Sequence, residues 1–393
     1  MIYAFDDCEL DLDRFELRRD GDVCKVEPQV FDVLALLVRE RDRVVPKEEI
    51  LDTVWGDRFV SESALTSRIK ALRRAVGDTG KTQRVVRTVH GRGYQFVAQA
   101  EERDETSVDL SAADDLPPQV IKFCTTEDDV RLAYATMGEG PPLVKVANWL
   151  SHLDYDRESV IWRHWLGGLS RQHQLVRYDE RGCGLSDWDV DFSFEAWVRD
   201  LEAVIDAVGL ERFPLLGISQ GGPVAIAYAV RNPERVSHLV LLGTFAQGRR
   251  KRAKTQQDAE LIETYIEMTR LGWGQPDPQY RVMFVSRFLP EGTQEEWRAF
   301  DELQRRSTSP ENAWRFLNEF ADIDVADLAP KVTAPTLVAC ARREPGDTFE
   351  ESRRLASLIP GSRMLPLDSC NHLLPERDPA WSHFLTELEA FLA

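Results

Sequence analysis

Long apolar runs are missing from this chain of 393 residues. The best of them, residues 224–230, falls far short of the roughly 20 apolar residues that cross a bilayer. No basic stretch followed by an apolar core opens the sequence, so no secretory signal and no membrane partner are expected, and the cytoplasm is the expected compartment. Cysteine is scarce and scattered. Its six positions, Cys8, Cys24, Cys124, Cys183, Cys340 and Cys370, form no C-x-x-C pair and no His/Cys cluster of metal spacing. That excludes a disulfide scaffold and a zinc module, and reduced thiols are expected, with no metal and no cofactor. Internal repeats are absent too. Positive charge is in deficit, and a net charge of −18 taken as a whole argues against nucleic acid.

The placement of the charge matters more than its sum. Residues 68–92 hold eight Lys/Arg (Arg68, Lys70, Arg73, Arg74, Lys81, Arg84, Arg87, Arg92) against one acid, Asp78. Residues 101–118 hold seven acids against Arg103 and end in Pro117-Pro118, which reads as a solvated linker. A basic block in an acidic chain attracts phosphate locally while the remainder repels it. With 43% hydrophobic and 30% charged residues, the rest of the chain can build cores, and its length suits two or three domains.

Ahead of the linker, residues 3–5, 9–12, 15–19 and 23–26 alternate like short strands. Pro28 opens a helix carrying Phe31, Leu34, Leu37 and Val38, and Pro46 starts a second through Ile50, Leu51 and Val54. Ser61 and Ser63 are N-cap candidates for a third, whose Leu65, Ile69, Leu72 and Val76 recur at helical spacing until Gly77 ends it. Residues 85–89 and 94–98 flank a glycine-rich tip, His90-Gly91-Arg92-Gly93, as a hairpin. On the third helix Ser63, Ser67, Lys70 and Arg74 fall opposite the apolar face, with Thr66 and Arg73 on the flank. Short donors and cations on one face suit major-groove reading, and Arg87, His90 and Arg92 at the hairpin suit a phosphate or the minor groove. Alone, the helix reads better as a solvated basic face.

The order of elements decides between them. Ser63-x-Leu65-x-x-x-Ile69-x-x-Leu72-Arg73 and Val86-Arg87-Thr88-Val89-His90-Gly91-Arg92-Gly93-Tyr94-Gln95-Phe96 make residues 1–99 resemble the OmpR/PhoB-type winged helix-turn-helix domain, in the ToxR/CadC-like form. The resemblance implies a third helix in the major groove of double-stranded DNA and a wing on the neighbouring backbone. It also implies RNA polymerase contact through the loop at residues 55–60, and pairing as a homodimer on direct repeats. Neither a receiver domain ahead nor a transmembrane segment behind is visible, so phosphorylation in cis is not the expected input.

Residues 100–118 are expected to link this domain to a second, residues 119–393, where short apolar strands (143–147, 175–178, 214–216, 239–242, 336–339) alternate with helical text. That implies a mostly parallel sheet. Residues 246–328 hold helical, aromatic-bearing text and read as an inserted cap. Leu215-Leu216-Gly217-Ile218-Ser219-Gln220-Gly221-Gly222 is a strand running into G-x-S-x-G and then a helix, which marks Ser219 as a nucleophile on a sharp turn. His372 follows the strand 363–367 and is the candidate base, with Cys370 two residues before it and Cys340 at another strand's end.

Together with Tyr178-Asp179-Glu180-Arg181-Gly182-Cys183-Gly184-Leu185-Ser186-Asp187 and Ala334-Pro335-Thr336-Leu337-Val338, these motifs make the second domain resemble the α/β-hydrolase superfamily. Register within that family places Glu344 at the acid position, where aspartate is usual, with Asp347 as the alternative acid. It draws the oxyanion donors from the backbone N–H groups of Gln220 and Trp149, although the family's His-Gly pair is replaced by Ala147-Asn148. Trp149, Trp162, Trp165, Trp188, Trp273, Trp297 and Trp314 are read mainly as core, with a pocket role for two or more as the alternative. The fusion points to a one-component transcriptional regulator whose second domain senses, and slowly hydrolyses, a small ester, lactone or amide. The rival readings are a serine hydrolase that its DNA-binding head only localises, and a catalytically inert receptor.

Overall fold

The computed structural model describes residues 2–11, 16–19, 22–24, 26–55, 62–89, 91–103, 116–273, 275 and 278–393, and the chain divides into two units, residues 1–112 and 113–393. His90, Ser61, the loop at 56–60 and most of the expected linker lie outside the described residues.

In the first unit β1 (Ile2–Phe5), β2 (Cys8–Asp11), β3 (Glu16–Arg19) and β4 (Asp22–Cys24) form an antiparallel meander. Three helices follow: α1 (Pro28–Arg39), α2 (Lys47–Trp55) and α3 (Glu62–Ala75). Pro28 sits in the first turn of α1, where its missing N–H costs nothing. Pro46 does not open α2. It pairs instead in the two-residue strand β5 (Val45–Pro46), which joins β6 (Val86–Val89) and β7 (Gly93–Phe96) in a three-stranded sheet of order β5-β7-β6. Gly93, at φ +151°, makes that possible, since a Cβ there would lie 2.0 Å from the carbonyl oxygen of Val45. Ser63 lies inside α3 rather than capping it. The segment Glu101–Arg103, read from sequence as linker, is the strand β8, paired with β1 at the edge of the five-stranded sheet. Leu65, Ile69, Leu72 and Val76 are buried against Phe31, Leu34 and Leu37, so the helix is held by its spaced apolar face.

The second unit is an eight-stranded sheet of order β16-β15-β14-β13-β11-β12-β10-β9. Its hairpin β9 (Gln119–Thr125) and β10 (Arg131–Met137) is antiparallel, as is the pairing of β10 with β12. The strands β11 (Pro142–Lys145), β12 (Gln174–Tyr178), β13 (Phe213–Ile218), β14 (Val236–Leu242), β15 (Thr336–Ala341) and β16 (Arg363–Leu367) are parallel to their neighbours within that set. Crossover helices α4 (Arg163–Ser170), α5 (Phe194–Val208) and α6 (Gly221–Arg231) connect the early strands. Between β14 and β15 the described residues form the helices α7 (Arg249–Arg252), α8 (Gln256–Gly272), α9 (Pro278–Phe288), α10 (Gln294–Ser307) and α11 (Pro310–Asp322). Their neck is tied by Gly248 N–H donating to Ile323 (2.7 Å) and Val325 N–H donating to Ala246 (2.8 Å). After β15, α12 (Thr348–Leu358) leads to β16 and α13 (Pro379–Leu392) closes the fold.

Both β12 and β13 pair with β11, on its opposite sides, so the winding of the sheet reverses there. Such a reversal opens a crevice at the carboxyl ends of the strands. Among the described residues no helix is long and apolar enough to cross a membrane.

Candidate functional sites

Ser219 follows directly on β13 and precedes α6 with φ +54°, a left-handed conformation that non-glycine residues rarely adopt. The strain is held from several sides. Its N–H donates to Leu242 (2.9 Å), and its carbonyl accepts from Gly222 N–H (3.1 Å) and from Thr244 Oγ1 (2.6 Å). The flanking glycines are demanded by contact, since a Cβ on Gly221 would lie 2.6 Å from the Ala147 carbonyl oxygen and one on Gly222 2.0 Å from Thr244 Oγ1. This is how a G-x-S-x-G sequence lifts a serine above the sheet.

His372 lies beyond the end of β16, with Nδ1 2.7 Å from Glu344 Oε1, and both side chains are buried. With the proton on Nδ1, Nε2 presents its lone pair, and that buried atom has no hydrogen-bond partner among the described residues. Asp347, the alternative acid, is placed elsewhere. Its side chain is 64% exposed and lies 2.7 Å from Arg252. The backbone of the histidine is fixed too, because His372 N–H donates to the Phe288 carbonyl at the end of α9 (2.9 Å). Just upstream, Ser369 Oγ (2.5 Å) and Asn371 Nδ2 (3.0 Å) both donate to Asp378. Sequence reading passed over Gly243. It sits at φ +56°, and a Cβ there would meet His372 Cε1 at 3.0 Å, so only glycine leaves the imidazole its place.

Ser219, His372 and Glu344 line one cavity together with Gln220 and Trp149. Among the described residues neither the Gln220 nor the Trp149 backbone N–H donates a hydrogen bond within the chain, which leaves both for an oxyanion. The Trp149 ring packs edge-on against Trp273, Phe316 and Phe320 at centroid distances of 5.5, 6.1 and 5.8 Å. Of the tryptophans, Trp149 lines this cavity, while Trp162, Trp165 and Trp273 are buried in the core. Asn148, which replaces the usual glycine, accepts from the buried Lys145 ammonium and donates to the Trp149 carbonyl (3.2 Å). Burial pulls the Lys145 pKa down to about 8. Cys340 comes within 3.9 Å of Glu344 Oε2, and burial with that neighbouring carboxylate pushes its thiol up to about 12. Burial likewise raises Cys370. All six thiols are free.

In the first unit Ser63, Thr66, Ser67, Lys70 and Arg74 are exposed along α3 while its apolar face is buried. Arg73 is turned inward. Its guanidinium donates to the Val86 carbonyl (3.0 and 2.8 Å) and to Thr88 Oγ1 (2.9 Å), clamping the hairpin to the helix. Arg87 is exposed and donates to Gln95 (2.7 Å), and Arg92 is exposed beside Gly91. Asp78, directly after α3, is a residue whose role sequence reading missed. Its buried carboxylate accepts from the backbone N–H of Thr79, Arg84, Val85 and Val86 and from Thr82 Oγ1, at 2.7–3.2 Å. Burial alone would raise its pKa, but the donors led by Val85 and Thr82 outweigh it and hold the carboxyl at about 2.

Comparison with known proteins follows the same division. The family described as alpha/beta hydrolase fold matches residues 155–379, and that described as transcriptional regulatory protein, C terminal, matches residues 21–96. Pyrrolizixenacetamide deacetylase of Xenorhabdus hominickii is 26% identical over 269 residues, 67% of this chain and 95% of that protein. The transcriptional regulator HilA of Salmonella typhi is 38% identical over 94 residues, 24% of this chain, and the match spans only 17% of HilA's length. Among solved structures, the esterase EaEST from Exiguobacterium antarcticum superposes with a TM-score of 0.60 at 21% identity, over 70% of this chain and 99% of that one.

Proposed function

The chain belongs to the alpha/beta hydrolase fold family and carries a transcriptional-regulator DNA-binding domain ahead of that fold, and from this premise we propose that it is a one-component regulator whose hydrolase-fold unit senses, and slowly hydrolyses, a small ester, lactone or amide. The observation that carries the reading is the meeting of Glu344 and His372 at 2.7 Å in the cavity that Ser219 lines, in one chain with an exposed basic recognition helix. In the chemistry this arrangement supports, Ser219 Oγ attacks the carbonyl carbon and its proton passes to His372 Nε2. The Gln220 and Trp149 N–H groups hold the oxyanion, the leaving group departs with the proton from His372, and water then releases the acid from the acyl-serine. Slow turnover suits a sensor, because only a ligand that persists holds the DNA-bound population in one state.

The test is a gel-shift titration of the full chain on the DNA upstream of its own coding sequence, at fixed salt, before and after labelling with a fluorophosphonate. Labelling at Ser219 with a change in DNA affinity of about fivefold or more supports the reading. Full labelling with unchanged affinity favours an enzyme that its head only localises. Absence of a label on the wild type, or a label that survives Ser219→Ala, removes the nucleophile.

A further inference from the structure

Three guanidinium groups line the Ser219 cavity and serve neither the nucleophile nor the base. Arg249 and Arg252 stand on α7 and Arg287 on α9. Arg249 and Arg287 both lie against the Tyr265 ring, their Cζ atoms 5.3 and 5.5 Å from its centroid. Among the described residues neither of these two guanidinium groups has a hydrogen bond or an ion pair. Arg252 stands 2.7 Å from Asp347 in a geometry that makes no hydrogen bond, and its buried Nε and Nη1 have no hydrogen-bond partner. The adjacent Arg250 points away from the cavity and finds Glu263 (2.6 Å), Asp322 (2.9 Å) and Asn318 (2.7 Å). Carboxylate partners therefore exist for this run, and among the described residues the cavity-facing members have none beyond the exposed Asp347 beside Arg252.

The other carboxylates of the cavity are engaged. Glu344 meets His372, and the buried Glu351 accepts from Ala246 and Gln247 N–H (3.1 Å each) and from Arg354 (3.2 Å). Three cations thus face one exposed aspartate, in a chain whose net charge is −18. Burial, reinforced by the neighbouring Arg287 charge, pulls the Arg249 pKa down to about 10. Gathering like charges away from water is costly unless an anion completes the set. A carboxylate is planar and matches a guanidinium fork with two parallel hydrogen bonds. Much of the rest of the wall is apolar, with Phe245, Ile266, Phe288, Leu317 and Phe320.

We infer that the ligand of this site is a carboxylate-bearing ester, lactone or amide, its anion held among Arg249, Arg252 and Arg287, its apolar body against the cap and its carbonyl carbon at Ser219. The inference rests on the reading of the Ser219 cavity as the ligand site. Its test separates recognition from chemistry by using the full chain carrying Ser219→Ala and two probes that differ by one charge, monomethyl glutarate and dimethyl glutarate. Calorimetry should give the monoanion a Kd about tenfold lower than the neutral diester, which is the order of one charge-assisted pair. Adding Arg249→Gln or Arg287→Gln should reduce that ratio towards one, while adding Lys251→Gln, an exposed neighbour on α7, should leave it intact. Equal affinity for the two probes, binding of neither, or a preference that survives both arginine substitutions would overturn the inference. Fluorophosphonate labelling of the wild type reports separately on the nucleophile. A carboxylate preference without labelling would sink the hydrolase reading alone, and labelling without a preference would sink the anion site alone.

Discussion

Asp78→Asn replaces an acceptor-only carboxylate by an amide of the same shape. Five donors converge on the native side chain. Thr79 N–H, Thr82 Oγ1 and Arg84 N–H reach Oδ1, and Val85 and Val86 N–H reach Oδ2. Whichever way the new amide turns, its NH2 group must face two backbone donors, Val85 and Val86 at the Oδ2 position or Thr79 and Arg84 at the Oδ1 position, and the first, which lets Thr82 Oγ1 keep its acceptor, is the expected one. Each buried donor left unmet costs about 1–3 kcal/mol, which sets the loss for two at about 2–6 kcal/mol. The acid–base behaviour gives an independent figure. A carboxyl moved from 3.8 to about 2 by folding corresponds to about 2 kcal/mol. The folded value is the depressed one, so this stability is present above pH 3.8 and is lost as pH falls through about 2.

Native-state hydrogen exchange on the full chain reads the effect directly. The Val85 and Val86 amides should exchange about thirtyfold faster in Asp78→Asn at neutral pH, and the difference should shrink in acid. Unchanged protection of these two amides, together with an unchanged melting profile of the first unit, would refute the reasoning.

Glu344→Gln should slow fluorophosphonate labelling of Ser219 by at least about tenfold, since the imidazole loses the carboxylate that orients it, whereas Asp347→Asn should leave the rate near wild type. The reverse pattern would move the acid to Asp347. Lys70→Ala and Arg74→Ala should each weaken DNA binding by about 1–3 kcal/mol where the contact is to a base edge, and Arg92→Ala should lower the salt slope by about 1. Unchanged affinity in all three variants, each folded by circular dichroism, would place the DNA on another face. Footprinting should find two direct half-sites about 10–11 base pairs apart with two chains bound, and a 1:1 complex on one half-site would contradict pairing.

What the residue order made legible is whatever repeats or follows a fixed sequence. The apolar spacing of α3 shows in Leu65, Ile69, Leu72 and Val76, and the strand–turn–helix around Ser219 is read from its glycines. Glu344 was reached by register with a family, and the 2.7 Å contact with His372 is what the fold adds. Less legible is anything decided by a partner distant in sequence. Arg73 reads as one more cation of a basic face, and only the Val86 carbonyl turns it inward. Glu101–Arg103 reads as solvated charge until β1 offers it a backbone edge. Arg249 and Arg252 belong to a run that resembles a surface patch. Their facing a cavity depends on where the neck at Ala246 and Ile323 sets the short helix α7.

The N–H of His372 and the last carbonyl of α9 share one hydrogen bond, which couples the cap helix to the candidate base. A cap helix that swings outward must either break that bond or drag the imidazole with it. In the packed arrangement the placement of α9 and the placement of the imidazole are therefore one and the same constraint.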